Sequence, residues 1–533
     1  MTDDDPTPDP DAADDPFEKV RRAHDALSDE AREAAVAYQH DLGKLTARER
    51  LDYLLDDGSF EEVGRLAAPM PTTPETVDWE REDAPADGVV TGFGEVDGRP
   101  VALIAADFTV KGGSIGHAGG RKMERVSERA LERGLPLVML HDGGGHRIQE
   151  GLDAAPFARG DAGFSQLQTA LSGWVPVVSA MMGPAFAAST NFAALSDFVP
   201  IVDGTGQMGI AGPALVEAAM GIEGSKEELG GAEFQTVETG AADLACENDE
   251  ACLDAIKRYL SYLPRNARRE PPSTDPTPPS DEQIDRLSGL IPRNPRKGFD
   301  IHAIIDGIVD RDSVFELKPR YARNVVTAFA RLDGDPIGVI ANNPRIKAGT
   351  IDTRASEKAS HFASLCDAFG LPLLTLVDVP GVLPGPDSER EGVARHSAKL
   401  PFELARATVP VANIVLRRGY GFGYVAMGGG RSLNSELTVL WPTAELAAMG
   451  IEGAVDIVYG DRIEAADDPA AERERLIQKF TDRTDAVRAS ARVGTDGVIQ
   501  PEETRERVIR AFARGDEPHD DDWPPKKHPI NPI

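Results

Sequence analysis

VDGRPVALIAADFTVKGGS (96–114) and LDGDPIGVIANNPRIKAGT (332–350) are two copies of one pattern within the same chain. Each copy joins a D-G turn, a short apolar run and a second turn that contains glycine. Gly98 and Gly334 hold the same place in the two copies and lie 236 positions apart. A shared offset over long stretches is the mark of an internal repeat. The chain is therefore predicted to be a duplication.

The same repeat continues through two further pairs of apolar segments. LPLVMLHD (135–142) recurs as LPLLTLVD (371–378), and VPVVSAMMGPAFAAS (175–189) recurs as VPVANIVLRRGYGFG (409–423). Helical patterns such as RKMERVSERALERG (121–134) separate these runs. Short apolar strands that alternate with helices indicate a largely parallel sheet with crossover helices. We therefore predict an α/β protein made of two similar domains.

Composition divides the chain into four segments. Residues 1–16 are strongly acidic and are predicted to be a disordered tail. PPSTDPTPPSDEQ (271–283) is rich in proline and is predicted to link two domains, which span 17–270 and 284–533. An amphipathic helical stretch over residues 17–53 is expected to open the first domain.

The charge balance excludes some partners. The chain has 533 residues, and its 89 acidic and 57 basic residues give a formal charge of −32, which disfavours nucleic acid. Such an acidic surface suits molar salt, where charge repulsion is screened, so a halophilic source is our hypothesis and an ordinary acidic protein is its alternative. No apolar run approaches the roughly 20 residues of a membrane helix, and the N-terminus is acidic, so we expect a cytoplasmic protein with no membrane contact.

Several motifs match patterns of known functional sites, but the sequence around them argues against those functions. GGSIG around Ser114 fits the G-x-S-x-G pattern of hydrolases, but the other copy of the repeat reads AGTID, which favours a plain glycine turn. His141 and His146 lack a recognised metal-ligand spacing, so no metal is expected. The three cysteines form no CxxC pair and are expected to be free thiols.

HDGGGHRIQEG (141–151) resembles a motif of the carboxyltransferase subunits of propionyl-CoA and acetyl-CoA carboxylases. The resemblance covers roughly residues 15–533, with the motifs in the same order. Subunits of methylmalonyl-CoA decarboxylases share most of them. The further segments that carry the resemblance are DFTVKGGSIG (107–116), SDFVPIVDGTGQMGIAGP (196–213), KEELGGAE (226–233), RYLSYLP (258–264), NNPRIKAG (342–349), ASEKASHF (355–362), LVDVPGVLPG (376–385), AKL (398–400), WPTAELAAMGIEGAV (441–455) and PPKKH (524–528).

The resemblance implies two tandem crotonase-like domains, with acyl-CoA bound by the first and carboxybiotin by the second. It also implies an active site between the first half of one subunit and the second half of its partner, within a ring-shaped hexamer. The chain has no biotinyl-lysine MKM motif and no recognisable ATP-grasp segment. A separate biotin carboxylase and biotin carrier subunit is therefore expected to supply the carboxybiotin.

The chemistry of carboxyl transfer favours particular main-chain donors. The acyl thioester passes through an enolate, whose oxygen requires hydrogen-bond donors, and the first N–H groups of a helix supply them. By resemblance, Ala187 and Ala188 occupy the family's Gly-Gly donor pair for the thioester, and Phe422 and Gly423 occupy the Gly-Ala pair associated with biotin. The bulk of Phe422 is expected to narrow the biotin site.

Other residues are predicted to contact substrate. Val425 stands where the family carries a residue that helps to select the acyl chain, and an apolar side chain favours a short one such as propionyl. His141, His146 and His117 replace the family's usual Asn, Ala and Glu. The predicted substrate-binding set is Gly143, Gly144, Gly145, Arg147, Gly421, Tyr424 and Val425.

Two alternatives to an acyl-CoA carboxylase stay open on sequence alone. A biotin-dependent methylmalonyl-CoA decarboxylase would run the same half-reaction in the opposite direction. A catalytically silent paralog that binds acyl-CoA is the other, and Phe422 with the two alanines motivates it.

Overall fold

The computed structural model describes residues 15–70, 84–151, 163–294, 296–430, 435–491, 494–514, 528 and 530. The predictions for residues 1–14 and for most of the PPKKH segment lie outside this part of the chain.

Two β-sheets, one in each half, form the framework of the described residues. The first sheet has seven strands in the order β1-β2-β3-β4-β5-β6-β7, and the second has eight in the order β15-β13-β12-β11-β10-β9-β8, with β14 paired to β12. The strands are β1 (Glu61–Glu62), β2 (Val89–Val96), β3 (Arg99–Ala106), β4 (Leu137–His141), β5 (Val177–Met181), β6 (Pro200–Val202), β7 (Leu244–Cys246), β8 (Phe315–Leu317), β9 (Val325–Leu332), β10 (Asp335–Asn342), β11 (Leu373–Val379), β12 (Val411–Tyr420), β13 (Ser435–Leu440), β14 (Glu445–Ala447) and β15 (Gly497–Val498).

Helices join and cover these strands. The described α-helices are α1 (Pro16–Asp25), α2 (Glu33–Asp41), α3 (Ala47–Leu54), α4 (His117–Arg133), α5 (Ile148–Gly151), α6 (Gly163–Leu171), α7 (Ala188–Ala194), α8 (Pro213–Met220), α9 (Lys226–Gly230), α10 (Asp249–Tyr262), α11 (Asp281–Leu290), α12 (Ile301–Asp306), α13 (Thr353–Ala368), α14 (Pro386–Arg390), α15 (Val393–His396), α16 (Lys399–Arg406), α17 (Gly421–Ala426), α18 (Ile451–Glu464), α19 (Pro469–Thr481), α20 (Ala486–Ser490) and α21 (Thr504–Phe512). In this part of the chain, no helix has the length and apolarity needed to cross a membrane.

The two sheets repeat one topology. In each half an antiparallel hairpin, β2–β3 or β9–β10, is followed by parallel strands. The long crossover helices α4 and α13 connect the hairpin to the next strand. Along α4, buried Met123, Val126 and Ala130 follow the helical period, which explains how this face packs onto the sheet. The predicted α/β duplication is confirmed.

Two local predictions differ in detail from the structure. The stretch 17–53, predicted to be helical, forms three short α-helices, and Thr46 starts the third of them with a capping box to Glu49. The proline-rich linker is extended up to Ser280, whose side chain caps α11 together with Gln283. The last residues assigned to the linker therefore belong to a helix.

One hydrophobic cluster spans both halves. Phe198 of the first half stacks on Tyr259 with ring centroids 4.5 Å apart, and Tyr259 meets Phe329 of the second half at 5.8 Å. Lys318 and Asp243 form an ion pair of 3.2 Å between the halves. Burying one such ring stabilises the fold by about 1.5 to 3 kcal/mol, so the two sheets are firmly held together.

Candidate active site

Each half contains a sharp turn between a strand and a helix at the predicted donor positions. The segment after β5 leads into α7 through Ala187, which has φ 59° and ψ −118°. In the second half β12 runs directly into α17, and Gly421 has φ 54°. Ala187 and Gly421 are 234 positions apart, which is the offset of this part of the repeat. Both turns therefore present the N-terminus of a helix at the same place in the fold.

At the first turn, one of the two backbone amides predicted to bind substrate already has a hydrogen-bond acceptor within the protein. The N–H of Ala187 donates to the carbonyl of Gly209 at 2.9 Å, so this amide already has a partner. The first helical bond runs from Asn191 N–H to the carbonyl of Ala187. Ala188 and Ser189 thus begin the helix, where N–H groups have no intrahelical acceptor. Ala187 supplies the backbone bend, and the helix begins at Ala188.

The glycine-rich loop lies directly against this turn. A β-carbon placed on Gly145 would lie 3.0 Å from the carbonyl oxygen of Phe186 and 3.2 Å from the nitrogen of Ala188. A β-carbon on Gly143 would clash with the backbone of Gly113 at 2.0 Å. Close backbone approach therefore explains the glycines at 143 and 145, while Gly144 is exposed. The fold brings the predicted loop and donor together.

Arg147, which is predicted to contact substrate, has several partners within the protein. Its guanidinium is buried and forms ion pairs with Asp87 at 2.5 Å and Glu150 at 2.7 Å. It also donates to the carbonyl of Ser114 at 3.0 Å. The Ser114 hydroxyl donates to the carbonyl of Lys111 at 2.9 Å, as a turn residue does. This placement favours a role for Arg147 in anchoring the glycine-rich loop.

Three histidines lie on or beside the glycine-rich loop. His141 is buried, burial lowers its pKa to about 4, and its Nε2 lies 3.1 Å from the Ser179 hydroxyl. The rings of His117 and His146 meet edge to face with centroids 5.5 Å apart. Among the described residues no group of three potential ligands could hold a metal ion.

The second turn has a helical backbone despite the bulky side chain of Phe422. Phe422 lies within α17 and its side chain is 49% exposed, while Val425 is 48% exposed. A β-carbon on Gly423 would lie 2.9 Å from Cα of Gly381, so a loop of this half packs on the turn as Gly145 does in the first half. Burial raises the pKa of Tyr424. The backbone at Phe422 is helical, so its N–H group points as the N–H groups of a first helical turn do.

Sequence reasoning missed two buried carboxylates beneath the turns. Asp142 and Asp378 end the paired segments LPLVMLHD and LPLLTLVD, and both are 0% exposed. Asp142 binds Lys44 at 2.8 Å. Asp378 binds Arg417 and Arg418, each at 2.7 Å. The aspartate that ends both copies of this segment is the sequence signal that indicates these carboxylates.

Comparison with known proteins agrees with this geometry. The carboxyl transferase domain family matches residues 38–530. A propionyl-CoA carboxylase carboxyltransferase subunit from Haloferax mediterranei is 42% identical over 481 residues, which cover 90% of this chain and 91% of the relative. A methylmalonyl-CoA decarboxylase alpha subunit from Propionigenium modestum is 40% identical over 475 residues, 89% of this chain and 90% of the relative. The crystal structure of transcarboxylase 12S, a hexamer with methylmalonyl-coenzyme A bound, has a TM-score of 0.86 at 36% identity and covers 97% of this chain and 99% of that chain.

The duplicated sheets and the paired donor turns define a two-domain, crotonase-like carboxyltransferase. The chain belongs to the carboxyl transferase family, and it is an enzyme of the propionyl-CoA carboxylase type. The predicted family, fold, enzyme class and general function are thereby confirmed.

Proposed function

We propose that this chain transfers the carboxyl group of carboxybiotin to the α-carbon of a short-chain acyl-CoA such as propionyl-CoA or acetyl-CoA. The observation that carries the proposal is the pair of strand-to-helix turns, one in each half, with Ala188 and Phe422 at the start of the two helices. Two substrates each develop charge on a carbonyl oxygen during the reaction. Two helix N-termini can stabilise both.

The first turn serves the acyl thioester, and the second serves biotin. The bond between the carboxyl carbon and the biotin nitrogen breaks, the α-carbon gives up a proton and the biotin nitrogen gains one, and a new carbon–carbon bond forms. Removal of one donor of this kind typically raises the barrier by about 2.7 to 4 kcal/mol. The donors at 188, 422 and 423 therefore supply a large part of the rate enhancement.

A second copy of the chain completes the site in this proposal. The heptapeptide AAMGIEG occurs at 218–224 and again at 447–453, next to an exposed apolar surface in each half. In the first half Met220 is 70% exposed, and in the second half Ile457 and Val458 are 73% and 68% exposed. Large exposed apolar surfaces are typical of protein interfaces. A twofold axis between two subunits would place the first-half surface of one against the second-half surface of the other. We propose that such dimers build a hexamer.

A biotin carboxylase and biotin carrier subunit is the proposed partner, because the donor turns act on carboxybiotin but do not form it. The charge of −32 further leads us to propose that the enzyme works in a cytoplasm at molar salt. Light scattering at molar salt tests the assembly. An active monomer would contradict it.

Val425 is the proposed selector of acyl-chain length. Its side chain is 48% exposed on α17 and is free to meet a substrate at the subunit boundary. Val425→Ile adds a methylene in the space of the terminal methyl group of propionyl-CoA, so preference should shift toward acetyl-CoA by about 10-fold to 200-fold. The ratio of the two kcat/KM values measures this shift, and an unchanged ratio would exclude Val425 from the pocket.

The central test is exchange of the carboxyl group between methylmalonyl-CoA and free biotin at molar salt. Gly423→Pro removes an N–H group from the first turn of α17 and also adds a β-carbon 2.9 Å from Cα of Gly381, so exchange should fall at least 100-fold. Phe422→Gly is the matched variant that keeps every N–H group, and exchange should hold or rise. Affinity for coenzyme A, which lacks the acyl group that Val425 is proposed to meet, should stay unchanged in both. Robust exchange by Gly423→Pro would mean that the biotin site is wrongly placed.

A further inference from the structure

A lysine is buried at the same place in each half of the molecule. Lys122 is the sixth residue of α4 and Lys358 is the sixth residue of α13, and they are 236 positions apart. Lys122 is 6% exposed and Lys358 is 1% exposed. Lysine is rarely buried so completely, because its charge loses hydration. Both halves keep this unfavourable burial, which suggests a shared role.

Main-chain carbonyl oxygens hold the first ammonium group. Lys122 Nζ donates to the carbonyl of Ala86 at 3.0 Å and to that of Val89 at 2.5 Å. Val89 is the first residue of β2, and Ala86 has a φ of 50°. The lysine therefore fixes the irregular turn that leads into the β2–β3 hairpin.

The second ammonium group makes the equivalent contact and adds one more. Lys358 Nζ donates to the carbonyls of Lys318 at 2.8 Å, Tyr321 at 3.0 Å and Val325 at 2.8 Å. Val325 begins β9 and stands 236 positions after Val89. The same lysine-to-strand contact therefore persists in two halves whose surrounding sequences have diverged.

In the first half, a chain of contacts leads from this turn to the oxyanion donor. Asp87, within the turn, binds Arg147 at 2.5 Å. The N–H of Arg147 donates to the carbonyl of Ile115, and the N–H of Ile115 donates to the carbonyl of Gly145, both at 2.8 Å. Gly145 is the loop glycine that packs against Ala188.

The second half repeats this path with different side chains. Asn324, within the turn that the second lysine holds, donates from Nδ2 to the carbonyl of Thr350 at 2.7 Å. The N–H of Ile351 donates to the carbonyl of Gly381 at 3.1 Å, at the repeat positions of the pair in the first half. Gly381 packs against Gly423 of the donor turn.

We propose that Lys122 and Lys358 are positioning residues, each of which sets the oxyanion donors of its own half through the turn that its ammonium group holds. The inference rests on the proposed function, because it assigns Lys122 to the acyl-CoA site and Lys358 to the biotin site. A displacement of about 1 Å in reacting groups can cost 100-fold in rate. Loss of either ammonium group should therefore impair one substrate and spare the other.

The test compares Lys122→Met with Lys358→Met in the full-length chain. Lys122→Met should weaken binding of propionyl-CoA, measured by calorimetry, at least 10-fold and leave the KM for free biotin within twofold. Lys358→Met should raise the KM for biotin at least 10-fold and leave propionyl-CoA binding within twofold. Lys257→Met is the control, because Lys257 also donates to a main-chain carbonyl, that of Tyr53 at 2.8 Å, but at an exposed site. It should change neither quantity.

Chemical rescue separates positioning from general destabilisation. In Lys122→Ala and Lys358→Ala, n-propylammonium fits the space of the lost side chain and should restore at least a third of the exchange rate. Equal losses at both sites, in step with a lower Tm, would overturn the proposal, as would rescue of neither variant. If a methionine variant does not fold, the alanine variant is purified with the amine, and withdrawal of the amine gives the same comparison. A wild-type chain without any exchange would contradict the proposed function, whereas propionyl-CoA binding by the two variants would still decide this inference.

Discussion

Asp142 and Asp378 occupy the same position in the two halves, yet different parts of the chain neutralise them. Asp142 accepts from Lys44 and Arg50, both at 2.8 Å, and these residues lie before the repeated region begins. Arg50 also binds Asp249 at 2.7 Å. The duplication thus kept the buried carboxylate of the first half, while its cations come from α3 and from the loop before that helix.

In the second half, the neighbouring strand of the same sheet neutralises the buried carboxylate. Asp378 binds Arg417 and Arg418, which lie on β12 immediately before the donor turn. Burial opposes ionisation of this carboxyl group, but the hydrogen bonds and charges of Arg418 and Arg417 hold its pKa below the ordinary value. The two copies of the fold therefore bury a carboxylate at the same position, but the residues that neutralise it differ between them.

The largest expected effect comes from removing these two carboxylates. Asp378→Asn leaves two guanidinium groups beside a neutral amide, and guanidinium does not lose its proton, so the free energy of unfolding should fall by about 3 to 5 kcal/mol. Asp142→Asn leaves Lys44, whose pKa burial already lowers, and Arg50, which keeps Asp249. The loss there should be only about 1 to 3 kcal/mol.

Urea unfolding of both variants at molar salt and pH 7 measures the difference. Asp254→Asn provides a control, since Asp254 is an exposed carboxylate near the same helices and binds the Tyr53 hydroxyl at 3.2 Å. The expectation is contradicted if Asp142→Asn lowers the free energy of unfolding more than Asp378→Asn does. In that case, release of a proton from Lys44 does not remove the unpaired charge near position 142.

The next largest effect is a loss of stability at low pH, which we expect from one residue that differs between the two halves. His141 in the first half corresponds to Val377 in the second, and both are buried. The pKa of His141 is about 4 in the folded chain because of burial, against 6.5 for a free histidine. Between these values the unfolded chain binds the extra proton, so stability falls as pH drops from about 6.5 to 4. The full loss is about 3 kcal/mol.

His141→Val should remove this part of the acid sensitivity, since it makes the first half like the second. Ser179 keeps a hydrogen bond to the Ser196 hydroxyl at 2.8 Å in the variant. The difference in free energy of unfolding between the variant and the wild type, followed from pH 7 to pH 4, is the measurement. A difference that does not change with pH would mean that His141 takes up its proton in the folded state.

The repeat explains why so much of the fold followed from the sequence. Turn, strand and helix recur at one offset, and the strand-to-helix turns fell where the motif placed them. Side-chain partners followed less well. The ion pairs of Arg147 with Asp87 and Glu150 did not follow from the sequence, because only packing in three dimensions shows which loop a buried arginine anchors. The amide of Ala187 was expected to be a donor and is taken by Gly209, a contact between distant segments.

The smallest expected effect tests the two bends themselves. Ala187 has φ 59° and ψ −118°, a conformation that glycine adopts freely and alanine does not, whereas Gly421 holds φ 54° in the second half. Ala187→Gly should therefore stabilise the fold by about 1 kcal/mol once the added flexibility of the unfolded chain is included. Gly421→Ala should destabilise it by at least about 1 kcal/mol, since its β-carbon would also lie 2.7 Å from the carbonyl of Ala448. Urea unfolding gives both values, and the exchange rate of Ala187→Gly should stay within threefold of wild type because the Ala188 amide is kept. If Ala187→Gly is less stable than wild type, contacts of the Ala187 methyl group contribute more to stability than the backbone strain costs. The first bend would then depend on side-chain packing, whereas the second depends on the conformational freedom of Gly421.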